Sequence, residues 1–265
     1  MAMRYKEIHV NKALNKITKE DIYFQGNYTL DPYQNCEFGC RYCDSYDDTI
    51  YIKNNIETLL KKEITTISNE NRIIIGSVHD PYQNTEKQYK KTKNILKIIK
   101  KNNLSCHILT KSDLILRDLE LISKIDDILV TISIISLKKD IQNIFENNLP
   151  ITIKRLKTVK KMSKKGIKTG IAVIPILPYI VEDEIENLIS SAKENIAEYI
   201  LHKPLELKGD QKITFLNLIE QYFPDLISKY QRLYKDRYTP PSDYSKEIDY
   251  RFNKFCRKYK IKKNI

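Results

Sequence analysis

Short apolar runs rich in β-branched residues alternate along this chain with longer stretches whose apolar positions recur every three or four residues among lysines. Ile73-Ile74-Ile75-Gly76 reads as a buried strand, and Glu86 to Lys101 as the helix after it. His107-Ile108-Leu109 is the next strand and Leu114 to Lys124 the next helix. Asp127 to Ile134 carries the near-continuous apolar run Ile128-Leu129-Val130-Thr131-Ile132-Ser133. A helix from Ile151 to Lys165 stops at Gly166, a residue suited to a left-handed C-cap. Ile171-Ala172-Val173-Ile174 (strand), Glu182 to Glu194 (helix), Glu198 to Leu201 (short strand) and Phe215 to Tyr222 (helix) follow. With a first strand at Tyr28-Thr29-Leu30 and a first helix from Ile56 to Ile67, the pattern makes six β/α units. Strands apolar on both faces and alternating with helices predict a parallel sheet. The expected class is α/β, a partial (β/α)6 TIM-like barrel, whose chemistry gathers at the C-terminal ends of the strands.

A chain of 265 residues holds one large α/β domain or two small ones, and no linker or low-complexity segment divides it. The expected organisation is an N-terminal segment (1–22), a core domain (23–223) and a basic C-terminal extension (224–265). The extension includes Tyr238-Thr239-Pro240-Pro241 and the basic stretch Arg251 to Lys263, which reads either as helix or as loosely ordered chain. No run of eighteen apolar residues suggests a membrane span. The start, Met1-Ala2-Met3-Arg4-Tyr5-Lys6, lacks an apolar signal region. Five cysteines, three of them clustered, do not form a disulfide framework and fit a reducing cytoplasm.

The formal net charge of +12 suits a polyanionic partner, DNA or RNA, because phosphate neutralisation releases counterions. A second reading competes with it. The chain is rich in Lys, Ile and Asn and has no Trp, as AT-rich coding produces, and lysines then collect on solvated helix faces.

The densest chemistry lies in Asn35-Cys36-Glu37-Phe38-Gly39-Cys40-Arg41-Tyr42-Cys43-Asp44. Thiolates hold iron–sulfur clusters, and Cys36, Cys40 and Cys43 fill three corners of a 4Fe–4S cluster, leaving one iron open. Gly39 gives the loop room to wrap a cuboidal group. The competing reading is a structural zinc site in a non-catalytic nucleic-acid-binding module. Zinc wants four ligands in a tetrahedron. Cys106 and Cys256 are isolated, and neither His9 nor His79 sits at a finger-like spacing. A short echo, Asp31-Pro32-Tyr33-Gln34-Asn35 and Asp80-Pro81-Tyr82-Gln83-Asn84, reads as two proline turns that match by coincidence.

The cysteine spacing, with Tyr42 before the third cysteine, resembles that of the radical S-adenosylmethionine (SAM) superfamily. Asp31 to Asn35, Gly76-Ser77-Val78-His79-Asp80-Pro81-Tyr82-Gln83, Leu109-Thr110-Lys111-Ser112, Arg155-Leu156 and Ile174-Pro175-Ile176-Leu177-Pro178 are similar to its spore photoproduct lyase-related branch. The resemblance spans residues 5 to 200 and implies a partial barrel, one [4Fe-4S] cluster, SAM, and an electron donor such as flavodoxin or ferredoxin. In the superfamily SAM chelates the open iron, and its reductive cleavage gives a 5′-deoxyadenosyl radical that abstracts hydrogen from a substrate. By the same resemblance, Tyr42 lies against SAM and Ser77 and Asp80 contact its amino-acid end. Lys111 meets its carboxylate or ribose, Ser133 lies near the ribose, and Ile174 and Pro175 lie beside the adenine.

The branch implies a lyase-like or repair-like reaction on nucleic acid, against a protein or small-molecule substrate. One departure stands out. Spore photoproduct lyases carry a hydrogen-donating cysteine three residues before the aspartate that matches Asp80, and this chain has Ser77 there. An O–H bond of serine is too strong to replace a thiol in that step. Tyr82 and Tyr179 are the alternative hydrogen donors on chemical grounds, with packing as their other reading.

Overall fold

The isoleucine-rich runs do become adjacent parallel strands. The computed structural model describes residues 3–43, 47–68 and 70–265. Met1 and Ala2, at the start of the expected N-terminal segment, and Asp44, which closes the cysteine motif, lie outside them. In chain order the first strands are β1 (Arg4–Ile8), β2 (Asn15–Lys16), β3 (Tyr28–Leu30), β4 (Tyr33–Gln34) and β5 (Thr49–Lys53). The rest are β6 (Ile73–Ile75), β7 (Cys106–Thr110), β8 (Ile128–Ser133), β9 (Lys168–Ile176) and β10 (Tyr199–Pro204). Strands β3, β6, β7, β8, β9 and β10 lie side by side, all parallel, and β2 adds antiparallel to β3. This is the expected α/β partial barrel, with β10 and β2 as its two outermost strands.

Register aligns the strand ends. Leu30 stands opposite Ile75, Ile75 opposite Ile108, Thr110 opposite Ile132, and Ser133 opposite Ala172. The loops that begin at Asp31, Gly76, Lys111 and Ile134 therefore open on one rim. Burial of Leu30, Ile73, Ile75, Ile108, Val130 and Ile132 fills the space between sheet and helices, each buried aliphatic side chain contributing roughly 1.5–3 kcal/mol.

The helices are α1 (Ile56–Glu63), α2 (Glu86–Tyr89), α3 (Lys91–Lys101), α4 (Leu119–Ile122) and α5 (Lys139–Phe145). They continue as α6 (Thr152–Lys164), α7 (Ile185–Glu194), α8 (Gly209–Tyr222), α9 (Ile227–Tyr234) and α10 (Ser242–Tyr259). The helix expected from Glu86 to Lys101 is two helices, broken at Lys90, whose φ is +53°. The buried Glu86 carboxylate explains the break, because it accepts from the Thr92 and Lys93 N–H groups at 2.9 and 3.2 Å and so caps α3. The stretch from Leu114 to Lys124 begins as a 3-10 turn over Asp113–Asp118 and is α-helical only in α4.

The small sheet β1-β5-β4 and the helix α5 were not expected. The C-terminal segment takes the helical alternative: α10 packs on α7, burying Ile248, Phe252 and Cys256. The chain then returns to β10, where Lys262 pairs with Tyr199. Among the described residues no helix is long and apolar enough to cross a membrane.

Candidate functional site

A cavity of about 180 Å³ opens at the rim where the strands end. Cys36, Cys40 and Cys43 line it from the loop after β3. Ser77 and Asp80 line it from the loop after β6, Lys111 from the end of β7, Ser133 from β8 and Ile174 from β9. Eight of the ten residues singled out in the sequence thus face one space. Tyr42 and Pro175 do not line it. Tyr42 is buried instead, its hydroxyl donating to the Glu146 carboxylate, and its ring lies 6.0 Å from the Lys111 ammonium.

Gly39 sits among the thiols with φ +57°, a left-handed conformation in which a side chain would be strained. Burial pushes the Cys36 thiol up to about 12 and the Cys40 thiol higher still. Thiolates form at such positions when a metal takes the place of the proton. Among the described residues no group of three or more His, Cys, Asp or Glu side chains is gathered tightly enough to hold a single ion. Tetrahedral zinc needs sulfurs roughly 3.8 Å apart. Three thiols lining one cavity are a donor set of the kind that holds an iron–sulfur cluster, whose cysteine ligands sit on separate irons.

Aspartates set the shape of the rim. The Asp80 carboxylate accepts from the Thr110 hydroxyl at 2.6 Å, the Lys111 N–H at 2.7 Å and the Tyr82 N–H at 2.9 Å. The Asp31 carboxylate accepts from the Ser77 hydroxyl and the Val78 and His79 N–H groups, each at 3.3 Å. Each aspartate therefore ties the loop of its own strand to the loop of the next. The echoed tyrosines also correspond: Tyr33 donates to Glu86 and Tyr82 to Asp118, and Arg117 pairs with both carboxylates at 2.6 Å. The echo is one structural device used twice, not two coincident turns. Gly76 lets the second copy close, since a Cβ there would lie 2.4 Å from Pro81 Cδ and 2.5 Å from the Leu109 carbonyl oxygen.

Burial opposes the charge on Lys111, but Cys40, Glu146, Asp80 and Cys43 together hold its ammonium above the usual lysine range. The Asp80 carboxyl is raised by burial, against the hydrogen bonds that it accepts. Tyr82 is fully buried and Tyr179 lies outside the cavity against Tyr230 and Tyr244, so packing is the reading that holds for both tyrosines.

Sequence reasoning missed two polar networks. Glu146 and Arg155 form a buried pair at 2.6 Å, and the Arg155 Nη1 donates to the Ser133 carbonyl at 2.9 Å. Beneath the cavity, His107 stands 3.0 Å from the Phe24 carbonyl through Nδ1 and 2.7 Å from the Thr131 hydroxyl through Nε2. A carbonyl only accepts, so Nδ1 carries the proton and Nε2 accepts from Thr131. The Tyr199 hydroxyl, 2.7 Å from Thr131 Oγ1, completes the network, and Gly170 makes room for the Tyr199 ring.

An open α/β barrel with three thiols at its rim is the architecture of an iron–sulfur enzyme. Residues 30–192 match the Radical SAM superfamily, and the chain belongs to it. It is a radical SAM enzyme, with a [4Fe-4S] cluster and SAM as cofactors, which overturns the zinc-module alternative. An uncharacterised protein of Methanocaldococcus jannaschii is 29% identical over 209 residues, covering 75% of this chain and 77% of that one. One of Mycobacterium tuberculosis is 24% identical over 278 residues, covering 97% and 81%. Among solved structures, a spore photoproduct lyase variant with dinucleoside spore photoproduct matches with a TM-score of 0.74 at 16% identity, over 96% of this chain and 78% of that one. Streptococcus suis SuiB bound to precursor peptide SuiA matches with a TM-score of 0.52 at 16% identity, over 77% and 46%. At these identities the likeness is one of fold.

Proposed function

We propose that Cys36, Cys40 and Cys43 hold a single [4Fe-4S] cluster with one open iron, and that the cavity beside them receives SAM. The reading rests on one observation: the three thiols share a cavity with Ser77, Asp80, Lys111, Ser133 and Ile174. When bound, cluster and SAM supply a one-electron reductive cleavage giving a 5′-deoxyadenosyl radical that abstracts hydrogen from a substrate. The Lys111 ammonium, enclosed and charged, binds the SAM carboxylate. The Asp80 carboxylate is engaged by the rim itself, accepting from Thr110, Lys111 and Tyr82. It holds the Lys111 backbone in place and so sets where the ammonium enters the cavity. Ser133 presents its hydroxyl to the ribose, Ile174 offers apolar surface to the adenine, Pro175 shapes the same strand end, and Tyr42 supports Lys111 from below. The outer side of the cysteine loop opens on a second cavity of about 470 Å³, lined by Arg41, Asn217 and Gln221, through which a flavodoxin-like or ferredoxin-like donor approaches the cluster.

The substrate we propose is nucleic acid. The net charge of +12 and the fold likeness to a structure solved with a dinucleoside photoproduct support it. Reversal of a thymine spore photoproduct is not the reaction, because Ser77 supplies no S–H bond and neither Tyr82 nor Tyr179 lines the cavity. The test is isotope tracing with anaerobically reconstituted enzyme. Deuterium passing from a labelled oligonucleotide into 5′-deoxyadenosine is the expected result, and transfer from a peptide or metabolite alone overturns the substrate class.

A further inference from the structure

The outermost strands of the barrel, β10 and β2, do not pair with each other, and a cavity of about 580 Å³ lies between β10 and the segment ahead of β3. Leu201, His202 and Pro204 of β10 line one side of it, and Ile22 and Tyr23, ahead of β3, the other. Leu201 packs in one apolar cluster with Ala172 and Phe24, and both of these line the cavity at the cysteines. A single layer of side chains therefore separates the outer cleft from the site where the radical forms.

Helix α10 forms the outer wall. Ser245, Lys246, Asp249, Tyr250 and Asn253 recur at helical spacing and face the cleft. Tyr250 is 64% exposed and Ile22 is 67% exposed, so two large apolar surfaces border the cleft uncovered. Asp249 is already neutralised by Lys263 at 2.8 Å and approached by His202 at 3.4 Å. Lys246 has no ion pair among the described residues, which leaves the wall a net cation. Asn253 and Asn264 add amides that can both donate and accept. An exposed ring, an unpaired ammonium and amide edges are what a nucleotide unit uses: a face to stack on, a charge for phosphate and partners for a base edge. An extended peptide would instead add to a bare sheet edge. Here the edge of β10 is already taken, with Ile200 N–H donating to the Lys262 carbonyl and Lys262 N–H to that of Glu198.

We propose that this cleft binds single-stranded nucleic acid beside the reacting nucleotide, a base stacking on Tyr250 and a phosphate meeting Lys246. The proposal rests on the nucleic-acid reading above and adds where the strand lies. The basic outer helices α3 and α6 play no part in it.

The experiment measures anisotropy of a short fluorescein-labelled single-stranded oligonucleotide on the full reconstituted chain, across a salt series. Tyr250→Ala should weaken binding about tenfold, while Tyr250→Phe, which keeps the ring, should not. Lys246→Ala should weaken it and lower the salt slope by about one. Both residues are exposed, so thermal unfolding and SAM cleavage without substrate should match the parent. If the parent binds the strand and both alanine variants bind it equally well, the cleft assignment falls and the nucleic-acid reading stands. If the parent binds no strand at low salt, the nucleic-acid reading falls and the cleft with it.

Discussion

Arg155 and Glu146 form an ion pair at 2.6 Å in which neither side chain reaches solvent. Glu146 also accepts from the Tyr42 hydroxyl, one residue before Cys43, and Arg155 holds the carbonyl of Ser133 at the end of β8. The pair thus joins the cysteine loop to the strand end on the far side of the cavity. Removing one partner of such a pair leaves a buried charge uncompensated and costs about 3–5 kcal/mol. Arg155→Met alone should lower the stability of the chain by that amount in chemical denaturation. Adding Glu146→Gln should recover most of it. A single variant as stable as the parent would show that the pair does not tie the loop down.

Anaerobic reconstitution should give about four iron and four sulfide per chain, the composition of the expected cluster. Replacing any of Cys36, Cys40 or Cys43 by alanine should abolish SAM cleavage. One tightly held zinc without sulfide would refute the assignment of these thiols.

Lys111→Ala should weaken SAM binding roughly ten- to a hundredfold, the range for a lost hydrogen bond to a charged group. Cluster absorbance should stay unchanged. Equal SAM affinity in parent and variant would reduce Lys111 to a support for the Tyr42 ring.

His107 is held neutral. Burial pulls it from its ordinary 6.5 down to about 4, with the Phe24 carbonyl opposing. In that window the unfolded chain binds a proton that the folded chain refuses, so stability is complete above about 6.5 and falls as the pH drops toward 4. The loss is on the order of 3 kcal/mol when complete. Denaturant midpoints across this range should fall more steeply for the parent than for His107→Asn. Parallel profiles would show that His107 is protonated in the fold.

With a thymine spore photoproduct in an oligonucleotide, complete turnover should be slight or nil, because Ser77 donates to Asp31 and offers no weak X–H bond. Efficient reversal, followed by product chromatography, would overturn that reading of Ser77.

The six parallel strands were legible because burial on both faces leaves unbroken runs such as Ile73 to Ile75. Strand β1 was not, since Arg4 to Glu7 are all exposed and carry no apolar pattern. Helix α5 spans only seven residues, too few for a period to show. The cysteines announced themselves because a cluster ligand set is local in sequence. The partner of Tyr42 did not, because Glu146 lies 104 residues away and only the fold brings the two together. Asp31 and Asp80 were visible as a repeat, but their shared role needed the hydrogen bonds that run from one strand's loop to the next.

Those two aspartates make the rim behave like hinged links of one bracelet. Asp31, at the root of the cysteine loop, grips residues 77–79, and Asp80, one residue further on, grips Thr110 and Lys111. The backbone of Lys111 is therefore tied by hydrogen bonds, through two carboxylates, to the root of the cysteine loop two strands away. The spacing between the thiols and the ammonium is thus set by two carboxylates acting in series rather than by either loop alone.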